Sequence, residues 1–337
     1  MLLPALTFAQ ADDPSGWIAI GIQLAAGFLM LTKGADWLVG GSSRIARRLG
    51  VSVFVIGLTI VAWGTSAPEV VVSAVAAHKG NSAISLGNVL GSNIANLGLV
   101  LGASALVLPR VLDTSFRTRD LVTFFGSIGI LWVFCLDGAL TRVESGVMLG
   151  LYGAYTLSLL LFRDKEAALD VPETDSKWPA WLEAAIGFAV VLVGAQLTVG
   201  GATAGAERLQ IDERVVGLTV VAIGTSLPEL AASLGSACKG QSELSLGNVI
   251  GSNVFNLIAV LGIVGLVRPL EASAMPDAAA SQELSDAFAG VLGLDFYVVA
   301  GFSVGSVLLI WLGGSKAGRL KGLLLLGAYF AYNAALF

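Results

Sequence analysis

Long apolar runs alternate with short polar stretches along the whole chain. The runs are about 20 residues long, the length at which a helix crosses a hydrocarbon layer about 30 Å thick. The pattern therefore predicts an all-α polytopic membrane protein. Ten apolar segments are recognised, at residues 17–43, 51–77, 84–108, 120–136, 144–162, 180–206, 214–237, 244–267, 293–312 and 320–336.

The composition agrees with this prediction. The 337 residues are 55% hydrophobic and only 13% charged, against about 25% charged in a typical soluble domain. An open sheet is excluded because its edge would be unpaired in lipid, and a β-barrel would show short alternating segments. The net charge of −5 comes without a basic block, so nucleic acid is not an expected partner.

Two motifs occur twice, and both repeat at the same offset along the chain. "GLTIVAWGTSAPE" (57–69) recurs as "GLTVVAIGTSLPE" (217–229), and "SLGNVLGSNIANL" (85–97) recurs as "SLGNVIGSNVFNL" (245–257). Each half then contains five predicted spans. Because five is odd, the second half must cross the membrane in the opposite sense, which predicts two inverted-topology repeats, an architecture of secondary transporters.

The repeats define the predicted organisation of the chain. The first five-helix repeat covers 1–162, a cytoplasmic linker covers 163–179, and the second repeat covers 180–337. Residues 1–16 are interpreted as an external tail, with cleavage as the alternative, and the polar stretch 271–288 as a solvated loop.

The basic residues of the loops predict the orientation. With the N-terminus outside, the inner loops hold 13 of the 19 Lys and Arg residues and the outer loops hold five, with Lys33 inside the first span. Since basic residues concentrate on the cytoplasmic side, both termini are predicted to be extracytoplasmic, in a plasma or inner membrane.

Two acids fall deep within matched spans, where ionisable groups are costly and functional by default. They are Glu69 and Glu229, each preceded by Gly-Thr-Ser-x-Pro. The proline lacks an N–H and releases a carbonyl of the preceding turn, so the helix should break there. Thr65 and Ser66 then share one face with Glu69, and Thr225 and Ser226 share one face with Glu229.

The second motif supplies further oxygen atoms. Its Ser and Asn residues lie four apart on one face, and they are Ser92 with Asn96 and Ser252 with Asn256. Four other asparagines are expected to hydrogen-bond the broken helices, namely Asn88, Asn93, Asn248 and Asn253. A set of carboxylates, hydroxyls and carbonyls suits hard cations such as Ca²⁺.

The charge of the predicted site indicates antiport. Two carboxylates that face each other in a low dielectric need a compensating charge. One divalent cation, several Na⁺ ions or protons would supply it, and these occupants exclude one another. Exchange of Na⁺ for Ca²⁺ is preferred over exchange of H⁺ for Ca²⁺ because protons would not need the hydroxyls. A cation channel and an intramembrane enzyme are the less favoured classes.

The paired motifs "GTSAPE…GNVLGSNIAN" and "GTSLPE…GNVIGSNVFN" resemble the two α-repeats of the sodium/calcium exchanger family, within the cation/calcium exchanger superfamily. The resemblance implies ten spans, with a core of broken helices 2, 3, 7 and 8 across which spans 1 and 6 slide. It implies ligands for Ca²⁺ and Na⁺ at Glu69, Glu229, Thr65 and Thr225. The resemblance adds the carbonyls of Ala62 and Ala222, and it assigns Ser66, Ser226, Ser92 and Ser252 to Na⁺.

One position departs from some members of that family. Asn256 stands where potassium-dependent members carry Asp, which argues against K⁺ co-transport. Beyond the transported ions and the lipid bilayer, the sequence indicates no cofactor and no obligate protein partner.

Overall fold

The computed structural model describes residues 14–80, 82–113, 117–162, 178–209, 222–271, 278–312 and 317–335. These residues are almost entirely helical. The helices are α1 (Pro14–Leu49), α2 (Val53–Thr65), α3 (Ala67–Lys79), α4 (82–107), α5 (Thr118–Cys135), α6 (Arg142–Leu161), α7 (Ala180–Arg208), α8 (Leu227–Cys238), α9 (Ser242–Val267), α10 (Ala278–Gly290), α11 (Phe296–Trp311) and α12 (Gly318–Ala335).

Six of the helices in the described part of the chain are long and apolar enough to cross a membrane, and the bent pair α2–α3 gives a seventh candidate. Helices also form at the other predicted spans, as α6, α8 and α12. Residues 210–221, which include the first part of the predicted seventh span, and residues 1–13 of the predicted tail 1–16 lie outside the described residues. The last three residues of that tail, 14–16, already belong to α1. These apolar helices indicate an integral membrane protein. The count of ten spans stays a prediction.

Helices α1 and α7 pack along each other in opposite directions through glycines. A Cβ added at Gly27 would lie 2.9 Å from the carbonyl oxygen of Gly194, and one added at Gly34 would lie 2.9 Å from that of Gly187. Residue numbers that rise along α1 therefore face residue numbers that fall along α7, so the two helices are antiparallel. Small residues let the two backbones approach this closely.

The core lies between the central helices rather than between α1 and α7. Helices α4 and α9 are mostly buried, and Leu97, Val100, Val254 and Leu261 are fully enclosed. Helix α12 packs on α4, and α6 packs on α9. The two helices that carry the second motif of each half thus form the centre of the molecule.

Two expectations from the sequence are wrong. Helices α4 and α9 are not broken: each is continuous, with a π-helical segment at Asn96–Val100 in α4 and at Phe255–Val260 in α9. Residues 278–290 are not a solvated loop but helix α10, whose Leu284 and Phe288 are buried. These two side chains lie four apart on one helical face, which explains why the segment packs on α4.

Candidate functional site

The Gly-Thr-Ser-x-Pro-Glu motif breaks its helix in both halves. Ser66 (φ −86°, ψ 8°) separates α2 from α3, which meet at 46°, and Ser226 (φ −87°, ψ 3°) precedes α8. Pro68 and Pro228 stand in the first turn of the new helix, where no N–H is needed. The predicted break of spans 2 and 7 is therefore present in the structure.

Each break places a carboxylate in the first turn of a helix. Glu69 lies at the start of α3 and Glu229 at the start of α8, and neither side chain has any exposed surface. The positive end of the helix dipole favours a negative charge at that position. The local sequence thus supplies part of the stabilisation that a buried carboxylate requires.

The two halves meet directly at this point. The Ser66 hydroxyl of the first half donates to Glu229 Oε1 of the second at 2.7 Å, and the Thr65 hydroxyl donates to Asn248 Oδ1 at 3.2 Å. Glu69 and Glu229 lie near enough for electrostatic repulsion. Residues from the two halves of the chain thus form one cluster.

Many oxygen atoms of this cluster are buried without a hydrogen-bond partner. A buried polar atom left unpaired costs about 1–3 kcal/mol, and native proteins hold few of them. The unpaired side-chain atoms at the predicted site residues are both carboxylate oxygens of Glu69, Oε2 of Glu229, the hydroxyls of Ser92, Ser226 and Ser252, and the amides of Asn96 and Asn256. Such a set of oxygens fits a hard cation.

Some of the predicted site residues are hydrogen-bonded to a carboxylate of the site, and others are not. Hydrogen bonds connect Ser66 with Glu229, whereas no hydrogen bond connects Ser252, Asn96 or Asn256 to either carboxylate. Thr225 is half-buried. Ala222 is the first described residue of its helical turn, directly after the undescribed segment 210–221.

The Ala62 carbonyl is not released by the break. It accepts the backbone N–H of Ser66 at 3.0 Å and lies 3.4 Å from the Thr65 hydroxyl. The missing bond falls at Gly64, four residues before Pro68, because proline has no N–H to donate. Ala62 could still act as a ligand through the second lone pair of its carbonyl oxygen.

The asparagines of the second motif behave in two ways. Asn88 bonds Ser73 at 2.9 Å, and Asn248 bonds Ser233 at 2.9 Å, so both reach the helices that carry the glutamates, as predicted. For Asn93 and Asn253 the expectation is wrong: each donates to the carbonyl four residues earlier in its own helix, at 2.7 Å. These two amides therefore stay within their own helices.

Ser73 and Ser233 are residues that the sequence reasoning missed. Each follows its glutamate by four residues, so the two serines are equivalent in the duplication, and the duplication itself carries the signal. The π-helical segments were also missed, although Asn96 and Asn256 lie in them. Such segments recur at functional sites.

The carboxylate count of the site is low. In the parts of the chain that the structure describes, no three residues of the types His, Cys, Asp and Glu gather as metal ligands. A cation held here would therefore depend on two carboxylates together with hydroxyl, amide and carbonyl oxygens.

Comparisons with known proteins identify the family of the chain. The family described as sodium/calcium exchanger protein matches residues 20–161 and 180–337. The putative antiporter CaxA of Alkalimonas amylolytica is 38% identical over 94% of this chain and 98% of its own length. The sodium/calcium exchanger MaX1 of Methanosarcina acetivorans is 32% identical over 93% of this chain and 97% of its own length.

A solved structure shares the fold. The sodium-calcium exchanger NCX_Mj superposes with a TM-score of 0.74 at 31% identity, and the match covers 95% of this chain and 99% of the other. Since the family match spans both halves and the relatives match over nearly their full length, the chain belongs to the sodium/calcium exchanger family.

Proposed function

We propose that this protein is a secondary antiporter that exchanges Na⁺ for Ca²⁺, with both ions bound between Glu69 and Glu229. The hydrogen bond from Ser66 to Glu229, surrounded by unpaired buried oxygens, is the observation that carries the proposal. The family and the name of the relative MaX1 support the choice of ions.

The charge of the site explains exchange. Two carboxylates carry −2 when ionised, and burying that charge without compensation is prohibitive. A Ca²⁺ ion compensates it fully, and so do two Na⁺ ions. Because both occupants need the same carboxylates, Na⁺ entry displaces Ca²⁺, and an empty site resists moving across the membrane.

Alternating access would come from the inverted arrangement of the halves. The antiparallel packing of α1 and α7 and the meeting of the two broken helices support ten spans in two inverted repeats. The core would then consist of the broken spans 2 and 7 and the continuous helices α4 and α9, with α1 and α7 sliding across it. Both termini would be extracytoplasmic, in a plasma or inner membrane.

The remaining ligands of the proposal are those that the family resemblance implies. Thr65, Thr225 and the carbonyls of Ala62 and Ala222 would complete the coordination around the glutamates. Ser66, Ser226, Ser92 and Ser252 would hold Na⁺ on either side of the centre, with Asn96 and Asn256 beside them. Hydroxyl and amide oxygens are neutral, so they can serve Na⁺ without adding charge.

Transport in liposomes tests this function. Ca²⁺ uptake should require Na⁺ inside the vesicles, and it should be lost in Glu69→Gln and in Glu229→Gln while Glu207→Gln, at the end of α7, keeps it. The conservative substitutions preserve size and remove only the charge. Uptake that ignores Na⁺ and follows a proton gradient would replace the proposal by H⁺/Ca²⁺ exchange, and absence of Ca²⁺ flux under both gradients would refute both.

A further inference from the structure

Helix α1 is held by polar contacts to the turn between α8 and α9. Lys239 Nζ lies 3.2 Å from Asp36 Oδ1 and donates to the Asp36 carbonyl at 2.7 Å. Two helical turns further along α1, the Ser43 hydroxyl lies 3.0 Å from Gln241 Oε1 and 2.8 Å from the Val39 carbonyl oxygen of its own helix. Both contacts join a helix of the proposed sliding pair to the proposed core.

Close packing accompanies these contacts. A Cβ added at Gly235 in α8 would lie 3.0 Å from the Cβ of Ala35, the neighbour of Asp36. Helices α1 and α8 are therefore in direct contact over the last turns of α8. The polar contacts can form only while the two helices keep this position.

The equivalent contact is not made in the other half. When the two halves are aligned on their repeated motifs, Gln196 corresponds to Asp36, and Lys79 corresponds to Lys239. Gln196 is neutral, so no ion pair can form there, and no extensive packing joins α7 to α3. The two halves repeat each other's ion site but differ at this contact.

We propose that Asp36 and Lys239 are positioning residues for transport: together with Ser43 and Gln241 they form a latch that stabilises the conformation closed at the α8–α9 turn. The latch rests on the proposed alternating access, in which α1 must leave this position during each cycle. In the predicted topology the α8–α9 turn is cytoplasmic, so the latched conformation is open toward the outside.

The solvent exposure of the Lys239–Asp36 ion pair determines how strongly it can shift the equilibrium between conformations. The Lys239 and Asp36 side chains are 34% and 48% exposed. Partly exposed ion pairs change an equilibrium by about two- to fivefold. A bias of that size favours one end state without trapping the protein in it.

A disulfide between α1 and α8 reports the latched conformation. Ala35→Cys with Gly235→Cys, in a Cys238→Ser background, brings two thiols to the spacing that a disulfide needs after a shift of several tenths of an ångström. Ala105→Cys with Gly322→Cys is a matched control, since its Cβ separation is 3.1 Å and it joins α4 to α12, outside the sliding pair.

The charge of the latch should set the rate of this cross-link. Lys239→Gln should slow oxidation of the Ala35/Gly235 pair about two- to fivefold, and the exchange Asp36→Lys with Lys239→Asp should restore most of the rate. Gln196→Asp should slow it as well, because it would build the mirror contact with Lys79 and favour the opposite conformation. The control pair should oxidise equally fast in every variant.

Equal cross-linking rates in all variants, or a charge exchange that fails to restore the rate, would overturn the latch. Ca²⁺ uptake gives an independent reading: oxidation should stop it in the Ala35/Gly235 variant and dithiothreitol should restore it, whereas the control pair should be unaffected. A protein that shows no Na⁺-driven uptake before oxidation would refute the proposed function, while the cross-linking rates would still decide about the latch.

Discussion

The Ser66 hydroxyl links the two halves of the chain, since it belongs to the first broken helix and donates to Glu229 of the second. Its counterpart Ser226 is buried to nearly the same degree, yet its hydroxyl has no partner. Two residues that the duplication makes equivalent are therefore in different states. The proposed ion site is asymmetric at the level of single hydrogen bonds.

Ser66→Ala should weaken Na⁺ dependence. The substitution removes a hydroxyl that contacts Glu229, and a hydrogen bond to a charged group is worth about 1.5–3 kcal/mol. The Na⁺ concentration for half-maximal Ca²⁺ uptake should rise about tenfold or more. Ser303→Ala, whose hydroxyl bonds only the Val299 carbonyl of its own helix α11, serves as the control. An unchanged Na⁺ requirement in Ser66→Ala would remove this residue from the set of Na⁺ ligands.

Asn256→Asp should change the number of cations that the site needs. The Asn256 amide is fully buried and unpaired, and a third carboxylate would leave an uncompensated charge when Ca²⁺ is bound. Uptake by this variant should therefore depend on K⁺ or on acidic pH, whereas uptake by the unmodified protein should not. Asn253→Asp is the control, and equal behaviour of both variants would contradict a direct role of Asn256.

The residues of the site could be named from the sequence, but their contacts could not. The repeated motif identifies Glu69, Ser66 and their counterparts as soon as the two halves are aligned. No sequence pattern states that Ser66 faces Glu229 rather than Glu69. That register depends on how α3 and α8 meet in three dimensions, which is a property of the whole core.

The glycines of α1 and α7 act at the scale of the element, because they set how near the two helices come. Gly27 and Gly34 are seven residues apart, and each faces backbone atoms of α7. A seven-residue spacing keeps them on nearly the same face of the helix. These glycines form a flat contact surface between α1 and α7, called the seam below, along which the two helices stay packed.

Gly34→Ala should destabilise the protein. Its Cβ would lie 2.7 Å from the backbone nitrogen of Val191, and overpacking of this kind costs about 1–3 kcal/mol. The thermal midpoint in detergent should fall by several degrees. Gly21→Ala lies in the same helix with open space around it and should be neutral or stabilising. Equal midpoints for the two variants would show that the seam is not tightly packed.

Most helices and the two proline breaks were predicted correctly, whereas helix α10 and the continuity of α4 and α9 were not, and both outcomes have physical reasons. Runs of apolar residues fix the helices, and Pro68 and Pro228 fix the breaks because proline cannot donate a hydrogen bond. The resemblance to the exchanger family implied further breaks in the third and eighth spans, yet α4 and α9 are continuous helices. Helix α10 was missed because its polar composition hides the pair Leu284 and Phe288, which only tertiary packing reveals.

At the scale of the whole molecule, the contacts between described loops fall into two groups, at opposite ends of the long helix α9. At one end Arg44 pairs with Glu183 and Lys239 pairs with Asp36. At the other end the Arg268 side chain donates to the His78 carbonyl at 2.8 Å, and Leu140 pairs with Leu270 as a short bridge. This division agrees with the sides that the basic residues predict for these loops. The described turns after α3 and after α8, which the duplication makes equivalent, therefore lie at opposite ends of α9, which supports the proposed inversion of the two halves.

Two equivalent positions, one in each half, can decide whether the halves are inverted. Cys238 is exposed beside Lys239, and Cys135 is buried and should not react. In intact cells a membrane-impermeant maleimide should label Cys238 only after permeabilisation. His78→Cys, combined with Cys238→Ser, should react without permeabilisation, because His78 is exposed and corresponds to Cys238 at the offset of the duplication. Cys238→Ser alone should stay unlabelled. Labelling of both positions from the same side would mean that the two halves enter the membrane in the same direction, and the ion site could then not be shared across a pseudo-twofold axis.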